Sequence, residues 1–282
     1  MDNTLYAFEE KLSANLSDVC NKQELRLVLA ISGGADSLSL LFALDRLSGS
    51  LNLSLFGAHM NHGVRGADSL ADSAFVENIF KKLKMPFMIG KGQAHIEKQS
   101  LSNVSENFLR NERFEFLSEA SKKFDADFIV LGHTSDDQVE TVLMNLIRGT
   151  GLKGLEGISE RTERIVKGNK IFLIRPLLNF TKTDTVNYCK QIGVVPRIDC
   201  TNSSLIYTRN RIREDLIPKI ESDYNPQFRS SVLRLTNVAK KNNEYIENVV
   251  NRYWDSIVKN HDGIFVINKA KYLSLDRILR DQ

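Results

Sequence analysis

Cysteine is scarce in this chain of 282 residues, and no Cys-x-x-Cys pair occurs among Cys20, Cys189 and Cys200. Scattered single cysteines argue against a zinc site, an iron–sulfur cluster and a redox-active pair. They are typical of a protein that works in a reducing compartment, so we expect a cytoplasmic protein.

Long hydrophobic runs are also missing, since no apolar stretch approaches the length that crosses a bilayer. Residues 1–24 are too acidic and too helical in pattern for a signal peptide. Internal repeats and low-complexity segments do not occur in the sequence. With 42% hydrophobic and 26% charged residues, we expect a globular protein with no membrane partner.

A Walker A motif is absent, because no Gly-Lys-Ser/Thr triplet follows a glycine-rich turn. Instead, an apolar run is followed by Ser-Gly-Gly-Ala-Asp-Ser and then by a helical pattern. Glycines allow close approach and positive φ, and a helix N-terminus offers unpaired N–H groups to phosphate. Asp36 fits there if a magnesium ion sits between its carboxylate and the phosphates. An ordinary turn is the alternative, and we predict a nucleotide phosphate site at Ser32, Gly33, Gly34, Ala35, Asp36 and Ser37.

Through the first two-thirds of the chain, β-rich runs alternate with amphipathic helical runs. The predicted strands are 25–31, 51–60, 86–89, 128–131 and 171–174, and the predicted helices are 37–48, 67–84, 104–123, 136–148 and 182–192. This alternation predicts an α/β fold, a doubly wound and mostly parallel sheet with helices on both faces. Ligands bind at the carboxyl ends of such strands, so we expect Ser32, His59, Asn61 and His133 to converge on one crevice.

The pattern changes after Asp199, and we place a domain boundary between residues 215 and 216. Residues 207–222 and 227–259 look helical, and 263–267 look like a short strand. The chain stops inside an apolar-periodic run, so we expect 216–282 to be a helical linker with a small, truncated domain. Basic residues outnumber acidic ones over 201–241, which fits a polyanion contact or a solvated helix face.

Three carboxylates and a histidine follow the strand predicted at 128–131. His133 comes first, Asp136 next, and Asp137, Glu140 and Thr141 share one helix face at i, i+3 and i+4. Acidic residues in a first turn are often only caps or partners of the helix dipole. Three of them exceed what capping needs, so we predict a site for a cation or an amine.

An arginine row precedes that segment on the helix predicted at 104–123. Glu106, Arg110 and Arg113 are spaced i, i+4 and i+7, which is typical of a surface salt-bridge ladder. If the row faces the crevice, an arginine there could hold a phosphate or a carboxylate through two hydrogen bonds.

Two polar loops fit contacts with a ligand or a nucleic acid. One contains His59, Asn61, His62 and Arg65 around a glycine, and the other contains Asn202 and the run 207–213. Arginines at 209 and 213 lie one turn apart and are suited to gripping phosphates.

Taken together, these segments resemble the tRNA(Ile)-lysidine synthases, a branch of the PP-loop (N-type) ATP pyrophosphatases. The likeness covers about residues 25–220. Its motifs are the loop 32–37, His59-Met60-Asn61-His62-Gly63-Val64-Arg65, Glu106 with Arg110-Asn111-Glu112-Arg113-Phe114, the run 131–141 continuing to Arg148-Gly149-Thr150-Gly151, Arg175-Pro176-Leu177-Leu178, and Asp199-Cys200-Thr201-Asn202 with Arg209-Asn210-Arg211-Ile212-Arg213.

The resemblance implies a reaction that joins free L-lysine to the wobble cytidine of the CAU-anticodon isoleucine tRNA. The base oxygen attacks the α-phosphorus of ATP and releases pyrophosphate, and the lysine amine then displaces AMP. Residues 1–215 would be the catalytic domain. ATP and magnesium would be its cofactors, and tRNA and lysine its partners. A homodimer is one assembly that the resemblance allows.

The resemblance also implies residue roles. Asp36, Arg113, His133 and Asp137 would be catalytic, and His59 would join residues 32–37 in binding the nucleotide. Asp36 would hold magnesium with the ATP phosphates, while Asp137, Glu140 and Arg113 would bind lysine. The residues that would contact the tRNA are His62, Arg65, Arg209, Asn210 and Arg213. Two alternatives stay open: another PP-loop enzyme of tRNA modification, such as a 2-thiolation enzyme, or a tRNA-binding remnant without catalysis.

Overall fold

The structure, a computed structural model, describes residues 3–20, 24–63, 67–92, 106–197, 208–261 and 264–280. Two compact units divide the chain, the first formed by residues 1–138 and 159–204 and the second by residues 139–158 and 205–282. This division differs from a single boundary at 215 and 216. The reason is apolar packing, because Val139 and Val142 share a buried cluster with Ile212 and Ile217.

The elements follow in chain order. They are α1 (Asn3–Leu16), β1 (Leu25–Ala30), α2 (Ala35–Leu47), β2 (Leu53–Asn61), α3 (Ala67–Lys82), β3 (Phe87–Lys91), α4 (Glu106–Lys123), β4 (Phe128–Leu131), α5 (Ser135–Ile147), α6 (Leu152–Leu155), β5 (Arg161–Val166), β6 (Asn169–Ile174), α7 (Lys182–Gln191), α8 (Thr208–Arg211), α9 (Ile217–Asp223), α10 (Phe228–Ile257), β7 (Val258–His261), β8 (Ile264–Ile267), α11 (Lys269–Leu273) and α12 (Arg277–Arg280). A π-helical turn, Ile212–Leu216, joins α8 to α9.

The first unit contains a sheet with the strand order β3-β2-β1-β4-β6-β5 in the described residues. All neighbouring pairs are parallel except β5 with β6, so the predicted mostly parallel sheet is confirmed. The chain leaves β1 toward β2 and β3 and returns on the other side at β4. Ligands of open α/β sheets bind at such a reversal, which here lies between the carboxyl ends of β1 and β4.

The core explains why β1 reads as an unbroken apolar run. Its alternate residues point to opposite faces, and both faces are covered. Leu27 and Leu29 pack in a cluster with buried residues of α1, α2, α3 and α7. Val28 packs in a second cluster with buried residues of α4, β4 and β6.

The second unit is mainly helical. Its core joins the later turns of α5 to the π-helical turn, α9 and α10 through Val139, Leu143, Ile212, Ile217 and Val232. The predicted helix 227–259 ends earlier, at Ile257, where the chain turns into the antiparallel pair β7 and β8.

Candidate active site

The loop after β1 has the backbone geometry of a phosphate cradle. Gly33 has φ +94°, a left-handed conformation that favours glycine. The first turn of α2 follows at once, so its N–H groups face the loop with the positive end of the helix dipole. On the far side, a Cβ on Gly132 would lie 3.2 Å from the backbone of Asp36. The end of β4 therefore packs closely against the loop.

The hydroxyl of Ser37 organises this loop. It accepts hydrogen bonds from the N–H groups of Ser32 and Gly33, both at 3.2 Å, and it donates to the carbonyl of Gly34 at 3.0 Å. Ser37 is buried, and Ser32 is exposed. Ser37 therefore fixes the loop from inside while Ser32 remains open to a ligand.

Asp36 lies partly buried at the start of α2, next to the N-terminal end of α7. Its Oδ1 accepts a hydrogen bond of 2.5 Å from the hydroxyl of Thr185, which is completely buried. Burial raises the pKa of Asp36, and the charges of Asp137 and Asp136 raise it further, while Thr185 and Lys182 lower it. A carboxylate in this position is stabilised by a cation, which fits the predicted magnesium site.

Asp136 and Asp137 occupy the first turn of α5 and are held in different ways. Asp136 accepts a hydrogen bond of 2.8 Å from the backbone N–H of Lys182. Asp137 Oδ2 accepts from the N–H and the hydroxyl of Thr134 at 2.8 and 3.1 Å. Asp137 thus caps its helix, and its charge also reaches Asp36. Capping and ligand binding are compatible here, because a carboxylate has acceptor sites beyond these two hydrogen bonds.

The two histidines of the predicted crevice differ in burial. His59 lies within β2 rather than after it, and its Nδ1–H donates to the carbonyl of Ile31 at 2.8 Å. Its Nε2 lies 3.1 Å from the hydroxyl of Ser73, and burial lowers the pKa of His59. His133 is partly buried just after β4. His59 therefore ties the end of β2 to Ile31, the residue directly before the phosphate loop, and its contact with nucleotide stays a prediction.

Two further polar residues lie in or just after the end of β2. The buried amide of Asn61 donates to the carbonyl of Ser69 and accepts from the N–H of Gly63, so it connects the end of β2 to the first turn of α3. His62 pairs with Glu112 at 3.0 Å. Arg65 and Asn202 lie outside the described residues. Contact of His62 with RNA stays a prediction.

Glu140 belongs to the second unit and is almost completely buried, with 1% of its side chain exposed. Its two oxygens accept hydrogen bonds from Arg209 at 2.7 Å and from Arg213 at 2.5 and 2.9 Å. Binding of lysine by Glu140 and of RNA by these arginines stay predictions, as does RNA contact by Asn210, which is partly buried. The observed role of Glu140 is to hold the two arginines on the helices that follow residue 208.

The sequence pattern does not identify Thr185 and Lys182 of α7, which donate hydrogen bonds to the carboxylates of Asp36 and Asp136. Thr185 belongs to no recognisable motif, and Lys182 is simply the first residue of a helix. The only sequence signal is Thr181-Lys182-Thr183-Asp184, a capping-box pattern that places an N-terminus but not its neighbours.

Within the described residues, no group of three His, Cys, Asp or Glu side chains could hold a metal by itself. A magnesium ion in a nucleotide site needs less, since one or two carboxylates and the phosphates suffice. No helix in the described ranges combines the length and apolar composition that a membrane span requires.

The fold and loop define a nucleotide-binding class, and residues 5–220 match the PP-loop domain family, so the chain belongs to this family. It is similar to the curated tRNA(Ile)-lysidine synthase of Clostridioides difficile (strain 630), with 38% identity over 224 residues, 79% of this chain and 46% of the relative. The enzyme of that name from Dehalococcoides mccartyi (strain CBDB1) is 32% identical over 275 residues, covering 95% of this chain and 58% of the relative.

The chain thus spans about half the length of the curated relatives it matches. Among solved structures, it is similar to the U34-tRNA thiolase NcsA from Methanococcus maripaludis with its 4Fe–4S cluster. The TM-score is 0.66 at 20% identity, over 84% of this chain and 80% of that chain. At this identity the likeness shows the fold alone.

Proposed function

We propose that this chain catalyses the ATP-dependent joining of L-lysine to the wobble cytidine of CAU-anticodon isoleucine tRNA. The observation that carries the proposal is the likeness to curated lysidine synthases, 32–38% identical over 79–95% of the chain. The proximity of the Asp36 and Asp137 charges beside one phosphate loop supports it. A reaction on tRNA is also consistent with the predicted cytoplasmic location, and the homodimer stays a prediction.

The loop and Asp36 would act on the nucleotide. The N–H groups of Ala35, Asp36 and Ser37 lie in the first turn of α2 and are available to phosphate oxygens. Asp36 would hold magnesium, which neutralises the charge that develops on leaving pyrophosphate. The hydrogen bond from Thr185 keeps Asp36 in one orientation for that task.

Asp137 would act on the amine. A free lysine side chain has a pKa near ~10.4 and must lose a proton before it attacks carbon. Asp137 would bind the ammonium group and accept or pass on that proton, with His133 as the nearby relay. Arg113 would hold the α-phosphate or the carboxylate of lysine, because a guanidinium binds either through two parallel hydrogen bonds.

Thiolation is the alternative from the same fold. It needs reactive sulfur, yet both described cysteines have a pKa raised by burial, that of Cys189 to about 11. A thiol with a raised pKa is a poor nucleophile. Cys200 lies outside the described residues.

The test measures AMP and pyrophosphate with ATP, lysine and tRNA omitted in turn. We expect AMP formation that requires all three, with a CAU anticodon on the tRNA. A 2-thiolation enzyme would release AMP without lysine but with a sulfur donor, and a remnant would bind tRNA without consuming ATP. Either result would overturn the proposal.

A further inference from the structure

Several arginines gather around the ring of Phe114 on α4. The guanidinium carbon of Arg164 on β5 lies 4.1 Å from the ring centroid, and those of Arg113 and Arg110 lie at 5.7 and 5.9 Å. Phe114 is buried, so its ring is a fixed platform between the helix and the strand. Arg164 also donates to the side-chain oxygen of Asn111 at 3.2 Å.

A buried arginine adds to this charge. Arg175 follows β6 and is only 7% exposed. Its Nη1 donates to the carbonyl of Ser159 at 2.8 Å and to the hydroxyl of Thr162 at 2.9 Å, while its buried Nε has no hydrogen-bond partner in the described structure. Burial and the charge of Arg110 lower the pKa of Arg175 to about 10, and the same two causes lower the pKa of Arg164.

Three of these arginines, Arg110, Arg164 and Arg175, differ from neighbouring basic residues in their partners. Nearby basic residues pair with carboxylates: Arg161 with Asp18, Lys167 with Glu115 and Lys170 with Glu163. Among the described residues, no carboxylate pairs with Arg110, Arg164 or Arg175. Like charges held this close repel one another, and an anion at the cluster would remove that cost.

The position of the arginine cluster, Arg110, Arg164 and Arg175, suggests which anion it binds. Arg175 lies at the carboxyl edge of the sheet, directly after β6. A helix that joins parallel strands starts near that edge, so Arg110 in the first half of α4 lies near it too. The loop 32–37 already supplies a phosphate cradle for the nucleotide. The cluster is therefore suited to the other phosphate-bearing reactant.

We propose that Arg110 and Arg164, which lie over the ring of Phe114, and the neighbouring Arg175 together bind phosphate groups of the RNA backbone. This arginine cluster rests on the proposed function in one respect, namely that RNA is a substrate. A guanidinium fork matches phosphate geometry, and backbone contacts of this kind fix the position of an RNA without reading its sequence.

The test compares Arg110→Ala and Arg164→Ala with Arg161→Ala, a matched control on β5 whose guanidinium has a carboxylate partner. The probe is a transcript of the CAU-anticodon tRNA, and its dissociation constant is measured from 50 to 300 mM KCl. We expect each cluster variant to bind roughly tenfold more weakly and to lower the salt slope by about one. Arg161→Ala should stay within about twofold of the parent chain.

Two results would overturn the cluster assignment. One is an unchanged salt slope in both cluster variants. The other is normal RNA binding together with weaker inhibition of AMP formation by added pyrophosphate. That result would assign the arginines to binding of the nucleotide. A parent chain that binds RNA with this slope but makes no lysine-dependent AMP would contradict the proposed function and leave the cluster standing.

Discussion

The hydroxyl of Thr185 donates a hydrogen bond of 2.5 Å to Oδ1 of Asp36, joining residues that are 149 positions apart in sequence. Thr185 is completely buried, so water cannot replace this donor. The hydrogen bond favours the ionised carboxylate and opposes the effect of burial on the pKa of Asp36. Helix α7 therefore favours the ionised form of the residue proposed to hold magnesium.

Thr185→Val should raise the pKa of Asp36 further, because the isosteric side chain removes the donor and keeps the burial. A carboxylate with a higher pKa becomes protonated at a higher pH. The acidic limb of the pH profile for the rate of AMP formation should therefore move to higher pH. The unfolding free energy should fall by about 1–2 kcal/mol. Thr185→Ser keeps the hydroxyl and serves as the control, and an acidic limb that stays in place in Thr185→Val would contradict this role.

Asp36→Asn should abolish AMP formation and stabilise the fold near neutral pH. The pKa of Asp36 is raised in the folded state, so its stabilising contribution is complete below the unfolded pKa and is lost as pH rises through the folded pKa. The neutral amide still accepts from Thr185 and avoids this loss. We expect a Tm higher by roughly 2–4 °C at pH 7, with the difference shrinking as pH falls through the folded pKa and vanishing below about pH 4, the unfolded pKa. A Tm gain that is independent of pH would rule out the titration of Asp36 as its cause.

Glu140→Gln should destabilise the second unit by about 2–4 kcal/mol, because it leaves Arg209 and Arg213 without their buried counterion. Urea unfolding can be followed through Trp254, the one tryptophan of the chain, which lies in the same unit on α10. The control is Glu247→Gln, whose exposed pair with Lys153 is worth under about 1 kcal/mol. Equal unfolding midpoints for the two variants would refute the structural role of Glu140.

Much of the fold follows from the sequence. Strands buried on both faces, such as β1, give continuous apolar runs, and the structure places β1 and β4 within a residue of the predicted positions. Strand β5 was missed because it lies at the sheet edge and reads Arg-Thr-Glu-Arg-Ile-Val, with little apolar content. Its pairing depends on the neighbouring β6, which local pattern cannot report.

The candidate site was predictable only in part. Ser32, Asp36 and Asp137 stand at strand ends or helix starts, which sequence pattern can locate. The contacts of Thr185 and of Glu140 depend on which helices pack together, and their distant partners leave no local signal. Carboxylates that look equivalent on one helix face, Asp137 and Glu140, therefore differ in the structure: Asp137 accepts hydrogen bonds from Thr134, and Glu140 is buried between two arginines.

The most direct test of the account is lysine-dependent AMP release by Asp137→Asn, measured beside tRNA binding at the same salt concentration. Asparagine can still accept the hydrogen bonds from Thr134 that cap α5, so the helix start should persist. We predict that AMP release falls by about two orders of magnitude or more while the dissociation constant for tRNA stays within about twofold. Parallel loss of tRNA binding, or AMP release at the parental rate, would contradict the role of Asp137 as the group that binds and deprotonates the amine.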